Sequence, residues 1–275
     1  MSAMNQAEFI LTARHLNKTY SQRSGRFGFG HSLIKALDDV SISLRTGSTL
    51  AVVGESGSGK STLARCLLQL QPLDSGEVLF QGRDLAAFPA SELRTERRHI
   101  QMVFQDPFAS LNPRMKVGEI VGEGLLIHKL GSAAEQRHKV LHMLKRVGLS
   151  EADMQKYPHE FSGGQRQRIG IARALVLEPK VVVCDEPVSA LDVSIQAQIL
   201  LLLKELQQEM HLSYIFISHD LRVVRHIADE VVVMHQGKVV EQGLVDDIYS
   251  APAEEYTRNL LNSIPGRKAA AGDTY

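Results

Sequence analysis

The chain has 275 residues, of which 44% are apolar and 23% charged, so we expect a globular fold with a sizeable core rather than disorder. Lys plus Arg number 31 and Asp plus Glu number 31, a balance that argues against a strongly basic nucleic-acid binder. No apolar run approaches the ~20 residues that span a bilayer, and the start, MSAMNQAEF, has no secretory-signal pattern, so we expect any membrane role to depend on a partner.

The N-terminal part is predicted to be rich in β-structure. Alternating apolar and polar residues predict half-buried strands at 9–20 and 34–45, with the Gly- and Arg-rich segment 21–32 as a surface loop between them. A more continuous apolar run at 49–54 ends in Gly and predicts a buried parallel strand. Residues 61–70 follow with helical spacing.

The middle of the chain changes in character. A short strand with a turn is predicted at 77–85. Residues 91–160 are charged and have helical periodicity, and 138–149 form the clearest amphipathic segment. This segment therefore reads as a helical insertion in the surrounding fold.

The remaining chain alternates between predicted helices and strands. Such alternation implies an α/β fold with a mostly parallel sheet wrapped by helices. The predicted elements are a helix that ends near Glu178, a buried strand in VVVCDEP (181–187), a helix at 192–210 with Ile195, Ile199, Leu202 and Leu206 on one face, a buried strand at 212–219 and a hairpin that turns near Gly237.

A phosphate-binding loop is predicted between the strand at 49–54 and the helix that follows it. The segment GESGSGKS fits G-x-x-x-x-G-K-[ST] in the context that this motif requires. Its glycines allow backbone N–H groups to face phosphate oxygens, Lys60 reaches the β- and γ-phosphates, and Ser61 can ligate Mg²⁺. The candidate ATP-binding residues here are Gly54, Glu55, Ser56, Gly57, Ser58, Gly59, Lys60, Ser61 and Thr62.

Two acidic residues end the all-valine strand. Asp185 is expected to hold Mg²⁺, and Glu186 is expected to accept a proton from the water that attacks the γ-phosphate. Two acids before a proline could instead cap a turn. The presence of the phosphate-binding loop favours catalysis.

A second anion-binding turn is predicted at FSGGQ, directly before a helix. Exposed N–H groups and a positive helix end suit a phosphate. The glycine pair could instead ease close helix packing, but that alternative does not explain why Ser, two Gly and Gln occur together. The candidate residues are Ser162, Gly163, Gly164 and Gln165.

With these motifs in order, the chain resembles the nucleotide-binding subunit of ATP-binding-cassette (ABC) transporters over roughly residues 8–265. FSGGQ matches the family signature LSGGQ, with Phe161 in place of Leu. The resemblance assigns further roles by motif: adenine stacking to Tyr20, sensing of Mg²⁺ and the attacking water to Gln105 in VFQDP, a loop that crosses to the opposite subunit to SALD with Asp192, and a switch contact with the γ-phosphate to His219 in ISHD. Taken alone, Tyr20 would be a core residue, His219 a satisfied histidine and Gln105 a turn residue.

The resemblance also implies an architecture. It predicts an α/β P-loop NTPase core of RecA-like type, with an N-terminal antiparallel β subdomain and an inserted α-helical subdomain. We expect the ATPase domain at 8–245, the insertion at about 91–165, and a C-terminal extension at 246–275.

Three stretches resemble the peptide-importer branch, which includes nickel and glutathione importers. They are the extended Gln loop at 104–125, the segments HEFSGGQRQRIGIARAL and DEPVSALDVSIQAQILLLL, and the tail 251–266. The tail carries Glu254 and Glu255 where the branch usually has His-Pro, and an ordinary surface helix is the alternative. No Cys follows Cys184, so no iron–sulfur cluster is expected. The loop after Tyr20 resembles the second ATPase of such systems.

This branch implies an ATP-hydrolysing subunit of a peptide importer that uses ATP and Mg²⁺. The implied partners are a second ATPase subunit in a head-to-tail dimer, identical or paralogous, two transmembrane permease subunits and, indirectly, a periplasmic or extracellular solute-binding protein. The implied location is peripheral, at the cytoplasmic face of the cell membrane. A nickel or glutathione importer, a cassette that remodels ribosomes or DNA, and a catalytically dead cassette are the alternatives.

Overall fold

The computed structural model describes residues 8–24 and 30–264, which form two sheets with helices around them. The strands are β1 (Phe9–Ser24), β2 (Gly30–Arg45), β3 (Thr49–Val53), β4 (Ser75–Phe80), β5 (Arg83–Asp84), β6 (Ile100–Val103), β7 (Val181–Asp185), β8 (Ser213–Ser218), β9 (Glu230–His235) and β10 (Lys238–Leu244). The helices are α1 (Lys60–Leu67), α2 (Ala90–Glu96), α3 (Pro107–Ser110), α4 (Val117–Ile127), α5 (Ala133–Arg146), α6 (Gly163–Leu175), α7 (Val193–Met210), α8 (Leu221–Ile227), α9 (Val245–Ser250) and α10 (Glu255–Asn262).

The larger sheet positions the candidate site. Its strand order is β10-β9-β3-β8-β7-β6, with parallel pairing except for the antiparallel β9–β10 hairpin. The predicted hairpin with a turn near Gly237 is therefore confirmed. Because β3, β8 and β7 are parallel neighbours, their carboxyl ends meet at one edge of the sheet, where ligands of such folds bind.

The central strands are apolar throughout because both of their faces are buried. In β3, Leu50 and Val52 pack towards the antiparallel sheet and α1. Ala51 and Val53 pack on the opposite face with side chains of α8, α9 and α10. Alternate residues of a strand point to opposite faces, so one short strand contributes to two hydrophobic cores.

The smaller sheet is antiparallel, with strand order β2-β1-β4-β5. The prediction of a loop over 21–32 is wrong at both ends, because β1 continues to Ser24 and β2 begins at Gly30. The Ser24–Gly30 pairing extends the backbone ladder through polar residues, and such pairing needs no apolar pattern. Residues 25–29 of the predicted loop lie outside the described residues.

The segment 91–165, predicted as a helical insertion, contains one strand of the larger sheet. Strand β6 pairs with β7 in parallel from Ile100–Val181 to Val103–Cys184, so the helical prediction is wrong there. After β6 the segment is helical: Val117, Ile120 and Val121 of α4 share a core with Val140 and Leu144 of α5. The domain boundaries themselves remain a prediction.

Helices α9 and α10 pack on the hydrophobic core beside the central strand β3. Ile248 and Tyr249 of α9 and Leu261 of α10 are buried in the cluster that contains Ala51 and Val53. Up to residue 264, the tail therefore packs against the central strand β3. Among the residues described here, no helix combines the length and apolar character needed to cross a membrane.

Candidate functional site

The loop after β3 curls around the ammonium group of Lys60. Lys60 Nζ donates hydrogen bonds to the carbonyl oxygens of Gly54 at 2.8 Å and Glu55 at 2.7 Å. Burial lowers the pKa of this lysine, while the nearby carboxylates of Glu186 and Asp185 act in the opposite direction. A buried cation inside a ring of backbone groups is suited to bind an anion.

Two glycines of the loop are required by close approach of other backbone segments. Gly54 has φ +150° and lies so close to β9 that a Cβ would be 2.2 Å from the Met234 carbonyl oxygen. Gly59 has φ +106°, and a Cβ there would be 2.3 Å from the Ala36 carbonyl oxygen. The two glycines allow the loop to sit directly on β2 and β9.

Helix α1 begins at Lys60, directly after the loop, and the N-terminus of a helix favours a bound anion. In its first turn, Ser61 Oγ donates to Asp185 Oδ1 at 3.2 Å. Burial raises the pKa of Asp185, and the charge of Glu186 adds to this effect. Burial thus disfavours the charged form of Asp185, which lies beside the Ser61 hydroxyl group.

Glu186 lies at the centre of a cluster of polar side chains. Gln105 Nε2 donates to Glu186 Oε2 at 3.0 Å, and His219 Nδ1 lies 3.0 Å from the same oxygen. Glu186 adopts a left-handed conformation with φ 47°, which is uncommon for a residue with a side chain. Its N–H still pairs with the Ile217 carbonyl oxygen of β8, so the turn directs its side chain away from the strand.

One cleft of about 790 Å³ brings most of the predicted residues together. Its volume lies within the usual range for ligand sites. Asp185 contacts this group through Ser61. The structure adds Ile34, Lys35, Ala36 and Gln236, which sequence reasoning did not single out. The predicted residues that line the cleft are Tyr20, Ser56, Gly57, Gly59, Lys60, Ser61, Thr62, Gln105, Glu186 and His219.

The signature residues and Asp192 are outside the set that lines this cleft. Ser162 and Gln165 form a reciprocal capping box at the start of α6, with Gln165 Oε1 accepting from Ser162 N–H at 3.0 Å. A Cβ on Gly163 would touch Leu191, and one on Gly164 would be 2.6 Å from Ile195 Cγ2. The signature and the SALD loop therefore adjoin each other at a second place on the molecule.

Asp192 has a structural task in this loop. Its Oδ1 accepts from Ile195 N–H at 3.0 Å and from Ser194 Oγ at 2.7 Å, which caps α7. These bonds lower its pKa. Ser162 and Asp192 are both exposed, so a ligand or a second chain can reach them.

A larger cleft of about 980 Å³ lies between the two sheets. None of the predicted site residues lines it, and its two arginines are paired, Arg14 with Glu77 at 3.0 Å and Arg45 with Glu230 at 2.8 Å. The smaller cleft, with Lys60 and Glu186, is therefore the one that can carry phosphate chemistry.

Two supports of the phosphate-binding loop were missed by sequence reasoning. Glu55 N–H donates to Tyr256 Oη of α10 at 3.2 Å, and Gly237 N–H of the β9–β10 turn donates to the Ser58 carbonyl oxygen at 3.0 Å. Both join residues that are far apart in the chain. The resemblance of the tail to an importer element was the only available signal for Tyr256.

Comparison with known proteins identifies the class. The family described as ABC transporter matches residues 37–189. A post-hydrolysis dimer of an ATP-binding cassette with ADP and Pi has a TM-score of 0.75 at 31% identity and covers 86% of this chain and 98% of that one. The cassette cbiO1 from Clostridium perfringens has a TM-score of 0.76 at 31% identity, covering 94% and 96%.

Curated relatives are more similar in sequence. The di/tripeptide transport ATP-binding protein DppF of Pseudomonas aeruginosa is 52% identical over 94% of this chain and 80% of its own length. The oligopeptide transport ATP-binding protein AppF of Bacillus subtilis is 51% identical over 96% and 80%. The chain belongs to the ABC transporter family. It is an ATP-binding and ATP-hydrolysing cassette, and the predicted P-loop NTPase fold is confirmed.

Proposed function

We propose that this cassette energises the uptake of di- and oligopeptides across the cytoplasmic membrane. The observation that carries the proposal is the single cleft that joins the phosphate-binding loop to Glu186, Gln105 and His219. The substrate class is supported by the names of the relatives, among them a di/tripeptide and an oligopeptide transport protein.

The triphosphate of ATP would lie in the loop of residues 54–62. Lys60 would keep its bond to the Gly54 carbonyl oxygen and direct its remaining N–H groups to the β- and γ-phosphates, whose charge favours the ammonium form that burial disfavours. The N–H groups at the start of α1 would face the same oxygens. Tyr20 lines the cleft, where its ring would stack on adenine.

Mg²⁺ is proposed at Ser61 and Asp185, with Gln105 beside them. The described residues contain no group of three or more His, Cys, Asp or Glu side chains able to hold a metal alone. Mg²⁺ bound with ATP needs few protein ligands, since this ion uses one or two of them together with phosphates and water. A hydroxyl and a carboxylate 3.2 Å apart fit this donor set. The ion would neutralise charge that develops on the phosphate oxygens.

Glu186 is proposed as the general base. Its Oε2 accepts from Gln105 and adjoins His219, so a water replacing one of these contacts would lie within hydrogen-bonding reach of the carboxylate. Gln105 would orient that water through its amide. His219, which lines the same cleft, would contact the γ-phosphate.

The signature and Asp192 are proposed to complete the ATP site of a second cassette. Ser162, Gly163, Gly164 and Gln165 combine a helix N-terminus with a short polar loop, yet they are not in the wall of this chain's own cleft. A head-to-tail dimer would place them over the partner's γ-phosphate. The partner cassette would be a second copy or a paralogue.

The remaining partners are proposed as two transmembrane permease subunits and, through them, a solute-binding protein. The chain would then work peripherally at the cytoplasmic face of the membrane. No nucleic-acid partner is proposed, because the charge balance provides no basic excess.

Glu186→Gln tests the proposed base. Turnover should fall by about 10²–10⁴-fold, while ATP affinity should remain near that of the wild type. Steady-state hydrolysis and nucleotide binding measure the two effects. Glu205→Gln is the matched control, because Glu205 is an exposed residue of α7. Turnover near wild type in Glu186→Gln would refute the assignment.

ATP-dependent peptide uptake by the reconstituted complex tests the substrate class, and uptake of nickel or glutathione in place of peptides would contradict it.

A further inference from the structure

The phosphate-binding loop has a contact with the C-terminal extension. Glu55 N–H donates to the hydroxyl oxygen of Tyr256 at 3.2 Å, across 201 positions of sequence. Glu55 is an exposed residue of the loop, and a tyrosine on the first turn of α10 accepts the hydrogen bond from its N–H.

Two sets of contacts with the β9–β10 hairpin fix the position of Tyr256 and of the helix that carries it. Its ring lies 4.0 Å from the ring of His235 at the end of β9, at a tilt of 38°. At the start of α10, the N–H groups of Ala253 and Glu254 donate to the Glu241 carboxylate of β10 at 2.7 and 3.2 Å. The β9–β10 hairpin thus fixes where the tyrosine side chain reaches the loop.

The peptide unit that Tyr256 contacts is the one that also contacts Lys60. The Gly54 carbonyl oxygen and the Glu55 N–H belong to one planar peptide unit, and in a trans peptide these two groups point in opposite directions. On one side the Gly54 oxygen accepts from Lys60 Nζ at 2.8 Å. On the other side the Glu55 N–H donates to Tyr256. Rotation of this plane would remove both bonds together.

We propose that Tyr256 is a positioning residue for ATP: its hydroxyl group fixes the peptide plane between Gly54 and Glu55 and thereby the place of the Lys60 ammonium group. The inference rests on the proposed binding of triphosphate by Lys60 and its loop. Tyr256 does not line the cleft, so it acts through the loop alone. Burial raises the pKa of Tyr256, so the hydroxyl group stays uncharged in neutral solution.

Tyr256→Phe tests the inference in the full chain, because phenylalanine keeps the ring against His235 and removes only the hydroxyl group. A loop that is no longer held must be ordered during binding, so the dissociation constant for ATP should rise about two- to fivefold, the worth of one modest hydrogen bond. Tyr214→Phe is the matched control. Its buried hydroxyl group donates to the Leu203 carbonyl oxygen at 3.0 Å, remote from the loop, so ATP affinity should not change.

One further measurement separates positioning from general destabilisation. Hydrogen exchange at the Glu55 amide should accelerate in Tyr256→Phe and not in Tyr214→Phe. Equal changes in the two variants would overturn the inference.

Lys60→Ala distinguishes failure of the inference from failure of the proposed function. If Lys60→Ala keeps wild-type affinity for ATP, the proposed triphosphate site is wrong. If Lys60→Ala loses affinity while Tyr256→Phe matches the wild type in affinity and Glu55 exchange, the site stands and the role of Tyr256 is refuted.

Discussion

At the scale of single residues, the site is a set of charges held in unfavourable surroundings. Burial lowers the pKa of Lys60 and raises the pKa of Asp185, so each charged form is penalised without ligand. Glu186 sits beside both in a left-handed conformation with φ 47°. Such arrangements are typical of functional sites, because a ligand of opposite charge can offset the cost of burying a charged side chain.

The lowered pKa of Lys60 predicts how ATP binding depends on pH. Bound triphosphate would favour the charged ammonium group and raise its pKa, so binding takes up a proton once the free lysine begins to deprotonate. ATP affinity should therefore decline as pH rises through the alkaline range below the usual lysine value of 10.5. Binding titrations across this range at constant ionic strength measure the effect.

Lys60→Arg is the control for this prediction. Arginine stays protonated over the whole range, so the part of the decline that is due to residue 60 should vanish, whatever the affinity at neutral pH. An alkaline decline of the same size in Lys60→Arg would show that another group causes it.

At the scale of elements, local periodicity predicted most helices and strands, and non-local pairing explains the errors. The strand predicted at 49–54 and the helix predicted at 192–210 bury the apolar residues from which they were predicted. Strand β6 has only four residues and follows a charged segment, and it exists because β7 pairs with it. The extension of β1 and β2 into a polar segment also depends on cross-strand backbone bonds.

The short 3₁₀ helix Glu151–Gln155, which leads towards the signature, depends on one carboxylate. Asp153 accepts from Ser150 N–H at 2.8 Å, from Ser150 Oγ at 2.7 Å and from Lys156 Nζ at 2.7 Å. The bond from Lys156 and those from Ser150 lower the pKa of Asp153 to about 2. Asp153 thus joins both ends of the turn.

Asp153→Asn should destabilise the fold at neutral pH by about 1 kcal/mol. Since the pKa is lowered on folding, the stabilisation is complete above the ordinary value of 3.8 and is lost as pH falls towards about 2. The difference in unfolding free energy between wild type and variant should therefore shrink between pH 7 and pH 3, as urea denaturation would measure. Asp246→Asn, an exposed change on α9, should alter stability by less than about 0.5 kcal/mol. A difference that stays constant down to pH 3 would contradict the assignment.

At the scale of the whole molecule, the candidate site combines contacts that sequence could predict with contacts that it could not. The loop around Lys60 and the pair Asp185–Glu186 are local motifs whose neighbours in sequence are neighbours in space. The contact between Glu55 and Tyr256 joins the first strand–helix turn of the core to the last helix described, and only the folded chain reveals it. Gln105 and His219 were placed by resemblance, and their meeting at one oxygen of Glu186 depends on the order of β6, β7 and β8 in the sheet.

Because the signature lies outside the chain's own cleft, we predict that each ATP site takes its loop from one cassette and its signature from the other. If the partner is a second copy, Ser162→Arg should leave ATP binding by the chain's own loop intact and abolish turnover, because a bulky cation would fill the turn that is proposed to face the partner. Lys60→Ala should have the opposite effect: it should impair ATP binding by the chain's own loop and leave its signature intact. Both variants should be checked by thermal unfolding, since Ser162 also caps α6 and loss of a cap costs about 1 kcal/mol.

Mixing the two inactive variants tests this division directly. If a second copy is the partner, half of the dimers would join one chain of each kind, and each of these would have one intact site of two, so turnover should recover to about a quarter of the wild-type value. Recovery would show that the signature of one chain serves the loop of another. No recovery from two folded, inactive variants would point to a paralogous partner, with which Ser162→Arg should then keep about half of the turnover, because its own loop still meets the intact signature of the paralogue. Wild-type turnover by Ser162→Arg alone would contradict a shared site in either case, because a turn that acts on the partner's nucleotide cannot be obstructed without effect.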